Sequence, residues 1–222
     1  MNILAIECTH AALSVAVKKN GAVAEVKSAD WRKAAEALVP LIEEAMVQSS
    51  LDKHGLDFVA ISSGPGSFTS LRIGMSVAKG IAYGLGIPLI PVPTMPALAA
   101  SFPAGACTVM SVIQARKGEY YFARYSPEKL SSGVWHDEIQ RGSAADVAAA
   151  AAKTGSIVVG GQLDELLPLL AGLGVMYATA VFFSARSLFQ AAERLYEGVD
   201  AAGLESVVPD YRQMFNPHVG KG

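Results

Sequence analysis

Ser62-Ser63-Gly64-Pro65-Gly66-Ser67-Phe68-Thr69-Ser70-Leu71-Arg72-Ile73-Gly74 joins an apolar strand-like run, Phe58 to Ile61, to a long apolar segment that ends near Gly86. Gly64 and Gly66 admit backbone angles that a side chain forbids, and Pro65 stiffens the turn. Ser67 is placed to cap a helix by accepting a hydrogen bond from a first-turn N–H, a contact worth about 1 kcal/mol. From Phe68 to Gly86 there is no proline, and the only charges are Arg72 and Lys79. Phe68, Leu71, Met75, Ala78, Ala82 and Leu85 follow a 3-4-3-4-3 spacing that predicts one continuous apolar seam. Ile73, Val77 and Ile81 form a second stripe beside it. Ser70, Gly74, Ala78, Ala82 and Gly86 recur every fourth residue, a row along which another backbone can approach closely. Arg72, Ser76, Lys79 and Tyr83 make the polar strip. A helix this apolar must be buried over most of its circumference.

The rest of the chain sets that helix in an α/β frame. Ile3 to Glu7 is predicted as a buried strand, Cys8-Thr9-His10-Ala11-Ala12 as a turn, and Leu13 to Val17 as an alternating second strand. Lys19-Asn20-Gly21 is a hairpin signal leading to a third strand, Ala22 to Ser28. Asp30 is placed to cap a helix from Trp31 to Gln48. There Trp31, Ala35, Leu38, Ile42 and Ala45 form a seam, and Pro40 is expected to kink or loosen one turn. A strand at Ile87 to Pro91 and a modest helix from Thr94 to Ala100 follow the long helix.

Phe102-Pro103-Ala104-Gly105-Ala106 reads as a boundary, because the pattern then restarts. Strands are expected at Thr108 to Ile113, Tyr120 to Tyr125 and Val134 to Ile139. A helix from Ala144 capped by Ser143, a strand at Ser156 to Val159 and a last helix to Tyr196 complete the second half. Each half runs strand, strand, strand, helix, strand, helix. That order predicts two related lobes, residues 1–103 and 104–222, each opening with a three-stranded meander, and a frayed tail from about residue 216. A single doubly wound sheet fits less well, because the hairpins opening both halves are antiparallel.

Composition narrows the function. Of 222 residues, 51% are hydrophobic and only 17% charged, which is low for a globular chain and suits a tightly packed one or one with an apolar interface. A net charge of −2 leaves no electrostatic footprint for nucleic acid, so direct RNA or DNA binding by this chain alone is disfavoured. No basic leader and no run of 18 apolar residues is visible, so neither a secretory signal nor a membrane span is expected and a cytoplasmic setting is. Cys8 and Cys107, far apart and strand-associated, read as small buried hydrophobes in a reducing compartment. His10, His54, His136 and His218 include no i,i+4 pair and no cysteine cluster, so no metal site is expected. The glycine turn lacks the Gly-Lys-Ser/Thr of a phosphate loop, and no Gly-x-Ser-x-Gly elbow offers a serine nucleophile.

Some polar groups leave two readings open. Gly64, Gly66 and Ser67 sit at a helix N-terminus, where free N–H groups and the helix dipole favour an anion; a tight turn that only aims the helix is the plainer reading. Glu7 and Thr9, with His10 and Ser14 nearby, surround the first hairpin turn as either phosphate contacts or a satisfied strand end. Gln114 to Glu119 is a partner contact or a solvated hairpin tip. Arg72 and Lys79 meet a partner's acidic groups or line a solvent strip.

Ile6-Glu7-Cys8-Thr9, the segment Gly64 to Gly74, Ala115-Arg116-Lys117-Gly118-Glu119 and Pro209-Asp210-Tyr211-Arg212 resemble the bacterial TsaB (YeaZ-like) family, over about residues 1–125 and again near Tyr211. The resemblance implies the actin-like/Hsp70-like ATPase (ASKHA) fold and a part in placing N6-threonylcarbamoyl on adenosine 37 of tRNAs that read codons beginning with A. It implies a non-catalytic subunit paired with the paralogous TsaD subunit, which carries the metal and the transfer chemistry. The TsaE ATPase joins the pair, a separate enzyme makes the threonylcarbamoyl-adenylate donor, and tRNA is met only through the complex. In that family the paralogues associate through their first two helices, which correspond here to Trp31–Gln48 and Phe68–Leu85. The expected interface residues are therefore Trp31, Ala35, Leu38, Ile42, Phe68, Leu71, Arg72, Met75, Ala78, Lys79 and Ala82. A homodimer through the same face is an expectation for the chain alone. No intrinsic cofactor is expected; a nucleotide held at a shared interface would meet Glu7, Thr9, Gly64, Gly66 and Ser67.

The chain departs from the family pattern, which often has Asp where Glu7 stands, a His-Ser pair at Ala34-Ala35, Gly at Ser70 and Asp at Gln114. Actin-like ATPases hold phosphate and metal with an Asp-x-Gly-x-Thr/Ser turn where Glu7 to Thr9 lies; here the acid is Glu and the glycine is missing. The catalytic paralogue takes its metal ligands from the first helix, and no histidine lies between Trp31 and Gln48. A scaffold subunit is the leading expectation, a nucleotide-dependent small-molecule kinase of the actin-like superfamily the alternative, and a peptidase the least favoured.

Overall fold

Two five-stranded mixed sheets of matching topology make up the computed structural model, which describes residues 1–10, 12–28, 34–102, 105–132, 135, 138–180, 183–197 and 204–212. The first sheet holds β1 (Ile3–Glu7), β2 (Leu13–Lys19), β3 (Ala22–Ser28), β4 (Phe58–Gly64) and β5 (Leu89–Pro93), in the order β3-β2-β1-β4-β5. β1, β2 and β3 form an antiparallel meander, while β4 and β5 join in parallel. Asn20 (φ 48°) and Gly21 (φ 88°) close the second hairpin with the left-handed angles a two-residue turn requires. Parallel pairing needs crossovers, supplied by α1 (Ala34–Gln48) and α2 (Phe68–Leu85). Ser67 accepts a hydrogen bond from the Ser70 N–H at the start of α2, and Gly86 ends it in the left-handed region. α1 runs through Pro40, which is exposed.

A short helix, α3 (Thr94–Ala100), leads to the second sheet of β6 (Val109–Arg116), β7 (Glu119–Tyr125), β8 (Gln140–Ser143), β9 (Ile157–Gly160) and β10 (Tyr177–Thr179). Its order, β10-β9-β6-β7-β8, repeats the first lobe strand for strand, again with an antiparallel meander and two parallel additions. Around it lie α4 (Pro127–Ser132), α5 (Ala144–Thr154) and α6 (Leu167–Gly172), and the chain continues to α7 (Phe189–Glu197). Ser143 and Asp146 form a reciprocal capping box at the start of α5, as the serine's position suggested.

The third strand of the second meander lies later than expected. It is the polar segment Gln140–Ser143, whose backbone pairs with β7, rather than Val134–Ile139. Within the expected stretch, Trp135 packs under the first sheet and Ile139 against the second-lobe core, so these apolar side chains fill space instead of marking a strand. Residues 133–134 and 136–137, like Asp30, Trp31 and His218, lie outside the described residues.

Residues from beyond 103 also pack on the first sheet. Successive residues of β1 point to opposite faces. Leu4 and Ile6 pack toward α1 and α2, against Leu38, Ile42, Ala45, Met75, Ala78 and Ala82. Ile3 and Ala5 face the other way and are covered by the 3-10 turn Ala185–Leu188 and α7, which return from the far end of the chain. Phe58 stacks on Tyr196 at 4.8 Å between ring centroids. The first sheet is a buried middle layer because the C-terminal helix supplies its second cover.

Candidate functional site: a groove between two helices

The apolar seam of α2 faces inward. Leu71, Met75, Ala78 and Ala82 are buried in the chain's own core, as are Leu38 and Ile42 on α1. The row of small residues also faces the sheet: a Cβ at Gly74 would stand 2.2 Å from Cys8 Sγ, and that thiol donates to the Ser70 carbonyl at 3.2 Å. What meets this row at Gly74 is the side chain of Cys8, just past β1, together with Ile61 of β4 in the same chain. These residues are therefore core of this chain and not exposed surface. The seam was expected to be the interface; in this chain its Leu71, Met75, Ala78 and Ala82 are core, because 3-4 spacing marks a buried face without saying what buries it. Ala35 is exposed and Phe68 half-buried, whereas Trp31 lies outside the described residues.

Between α1 and α2 runs an apolar groove of about 860 Å³ that reaches Leu4 of β1. Val39 and Val47 of α1 and Val77, Gly80, Ile81 and Gly84 of α2 line it, with Glu43, Asp52 and Lys53 also reaching it. Val47 is 77% exposed, and Tyr83, on the same helix as the groove glycines, is 82% exposed. A Cβ built at Gly80 or Gly84 meets nothing within 4 Å. Each glycine costs a helix about 0.8–1.0 kcal/mol relative to alanine, and no contact among the described residues explains either one. Bare backbone beside exposed valines is suited to close approach by another helix. Lys79 is half-buried on this helix.

Arg72 is engaged within the chain. Its guanidinium lies 4.0 Å from the Phe68 ring centroid, and its Nε donates to the Tyr211 hydroxyl at 3.4 Å.

The first hairpin turn and the glycine turn close on each other. Glu7 is 2% exposed; its carboxylate accepts hydrogen bonds from the Thr9 N–H at 2.6 Å and from the Thr9 hydroxyl. Burial pushes the Glu7 carboxyl up to about 7 despite these donors. The Ser67 N–H donates to the Thr9 carbonyl at 2.9 Å, and a Cβ at Gly66 would stand 2.5 Å from Thr9 Cβ. Gly64, at φ 111°, leaves room for the Asp210 carbonyl, 2.5 Å from where its Cβ would be. Both glycines thus admit parts of the same chain, which accounts for them as a structural turn.

Sequence reasoning missed the pairing of His10 with Phe183. The rings stack at 4.5 Å and 11°, and a Cβ at Gly161 would lie 2.5 Å from His10 Nε2. That Nε2 is buried without a hydrogen-bond partner among the described residues, and burial lowers the imidazole to about 4. Gly160-Gly161 after a predicted strand was the available signal, but its counterpart is 150 residues away. At the second hairpin tip, Glu119 accepts from both Arg116 and Arg141, an exposed charge cluster. Among the described residues, no group of three His, Cys, Asp or Glu side chains could hold a metal ion, and no helix is long and apolar enough to cross a membrane.

A family model described as "TsaD: tRNA N6-adenosine threonylcarbamoyltransferase" matches residues 12–159. The chain is 35% identical over 140 residues to the tRNA threonylcarbamoyladenosine biosynthesis protein TsaB of Escherichia coli K12, covering 62% of this chain and 60% of that protein. It is 34% identical over 134 residues to the TsaB of Haemophilus influenzae, covering 60% and 57%. The chain belongs to this family, on its TsaB (YeaZ-like) side. The aligned region spans about three fifths of these TsaB relatives. A YeaZ-like Pseudomonas aeruginosa structure, described as an uncharacterized protein with similarity to peptidase YEAZ, superposes with a TM-score of 0.77 at 23% identity, covering 96% of this chain and 99% of that one. The structure titled "YeaZ from Pseudomonas aeruginosa" gives 0.71 at 21%, covering 95% and 99%. Both share the two-lobed architecture, so the expected actin-like α/β fold holds for this TsaB-family chain.

Proposed function

We propose that this chain is a non-catalytic scaffold subunit in the formation of N6-threonylcarbamoyladenosine at position 37 of tRNA, presenting its α1–α2 groove to a TsaD-type paralogue. The observation that carries the reading is the apolar groove itself, lined by Gly80 and Gly84 and by exposed Val39 and Val47. Two adjacent helices of this length offer room for a standard interface of about 800 Å² per partner. In this reading TsaE joins the pair, tRNA is met only through the complex, and the assembly works in the cytoplasm. Any nucleotide belongs to the shared interface rather than to this chain, whose Glu7 carboxylate is engaged by Thr9. The same face serves self-association when the paralogue is missing.

Mixing the purified chain with its TsaD homologue and resolving the mixture by size-exclusion chromatography tests the proposal. A co-eluting complex is expected, and Val47→Glu, an exposed change that leaves the core intact, is expected to disperse it. Separate elution of the wild-type proteins, or a complex indifferent to Val47→Glu, refutes the docking face. The kinase alternative requires ATP binding by the isolated chain that Glu7→Ala abolishes.

A further inference from the structure

Residues 204–212 return from the end of the chain and lie across the start of α2. The 3-10 turn Leu204–Ser206 leads into Val207, which is buried in the first-lobe core with Met75 and Ala78. The Asp210 N–H donates to the Ser63 carbonyl at 2.7 Å, and its own carbonyl occupies the space that Gly64 leaves open. Arg212 Nε holds the Asp210 carboxylate at 2.8 Å. Tyr211 packs on Phe68 with centroids 4.8 Å apart, and the Arg72 guanidinium lies over Phe68 and 5.6 Å from the Tyr211 ring centroid. Backbone, aromatic and cation–π contacts therefore converge on the first two turns of α2.

The same helix carries the groove residues Val77, Gly80, Ile81 and Gly84 at its other end. From Arg72 to Gly80 is about 12 Å along a continuous helix. α2 is continuous from the strapped end to the groove and packs along β4, so a tilt at one end would move the other.

We propose that residues 204–212 form a strap that sets the stability and pose of α2, so that seating of the strap and docking of a partner on the α1–α2 groove are coupled. The docking half of this proposal rests on the function proposed above; the strap half concerns the isolated chain. Coupling is reciprocal: a partner that favours seated α2 also favours the seated strap.

Amide hydrogen exchange on the full chain reads both halves. Tyr211→Ala removes the ring that joins Phe68 and Arg72 and is expected to speed exchange across residues 69–75 about five- to thirtyfold, with Val109–Ile113 of β6 unchanged as the internal reference. Tyr211→Phe keeps the ring and is expected to stay within about twofold of wild type. Affinity for the TsaD homologue is expected to weaken about two- to tenfold in Tyr211→Ala, although Tyr211 does not line the groove. Saturating homologue is expected to slow exchange at the Asp210 amide. Unchanged exchange over residues 69–75, or an equal rise in β6, overturns the strap. Faster exchange with unchanged affinity overturns the coupling. If the wild-type chain forms no complex, the groove's proposed function falls and the coupling with it, while the exchange result decides the strap's hold on α2.

Discussion

Three glycine-to-alanine changes on α2 separate the face this helix buries from the face it offers. In an exposed helix interior such a change stabilises by about 0.8–1.0 kcal/mol. Gly80 and Gly84 have open space where a Cβ would go, so Gly80→Ala and Gly84→Ala are each expected to gain about that amount and raise Tm by about 2–4 °C. At Gly74 the new Cβ would stand 2.2 Å from Cys8 Sγ and 3.3 Å from Ile61 Cδ1. Overpacking of this kind costs about 1–3 kcal/mol, which cancels or exceeds the propensity gain, so Gly74→Ala is expected to destabilise by up to about 2 kcal/mol. Cys8→Ala removes the blocking sulfur. In a double-mutant cycle the Cys8→Ala/Gly74→Ala chain is expected to be more stable than the sum of the single changes allows, by at least about 1 kcal/mol. Urea denaturation at pH 7 measures all six chains, wild type included, on one scale. A Gly74→Ala protein as stable as Gly84→Ala, or a cycle that closes to zero, refutes the close approach of α2 to Cys8. Loss of stability in Gly80→Ala or Gly84→Ala refutes the open groove floor.

Other outcomes follow from the same geometry. Gly80→Ala/Gly84→Ala is expected to stabilise the chain while weakening its complex with the TsaD homologue in a pull-down titration, because the added methyl groups stand in the groove. Glu7, raised from 4.5 to about 7, holds a proton in the folded chain that the unfolded chain has released, so its contribution is fully present below pH 4.5 and is lost as pH rises through 7. Glu7→Gln is expected to gain on wild type by about 3 kcal/mol across that window in denaturation midpoints; a constant difference refutes the buried protonated carboxyl. His10, lowered from 6.5 to about 4, has the opposite sign: its contribution is present above pH 6.5 and is lost as pH falls through 4. His10→Phe keeps the stack on Phe183 and is expected to lose that acid sensitivity, leaving the Glu7 slope unopposed between pH 4.5 and 6.5. Ser143→Ala removes half of a capping box and is expected to destabilise the second lobe by about 0.5–2 kcal/mol in thermal unfolding.

The sequence by itself determined the local events: the Asn20-Gly21 hairpin, the Ser67 and Ser143 caps, the Gly86 stop, and the repeated order of elements that makes two lobes. Those depend on residues within a turn or two of one another, where backbone preference and hydrogen-bond chemistry act directly. It also marked α1 and α2 as helices that must bury a face. Only the tertiary structure decided what buries it. The 3-4 seam of Phe68 to Leu85 has the same period whether its own sheet or a partner covers it, and the sheet takes Met75, Ala78 and Ala82. Gly74 and Gly84 are the same residue in the sequence; one admits Cys8 and the other faces open space. The return of α7 under the first sheet, the stack of His10 on Phe183, and the seat of Asp210 at Gly64 join residues more than a hundred positions apart. Such contacts carry no local period or motif, because they arise where separate elements meet in space.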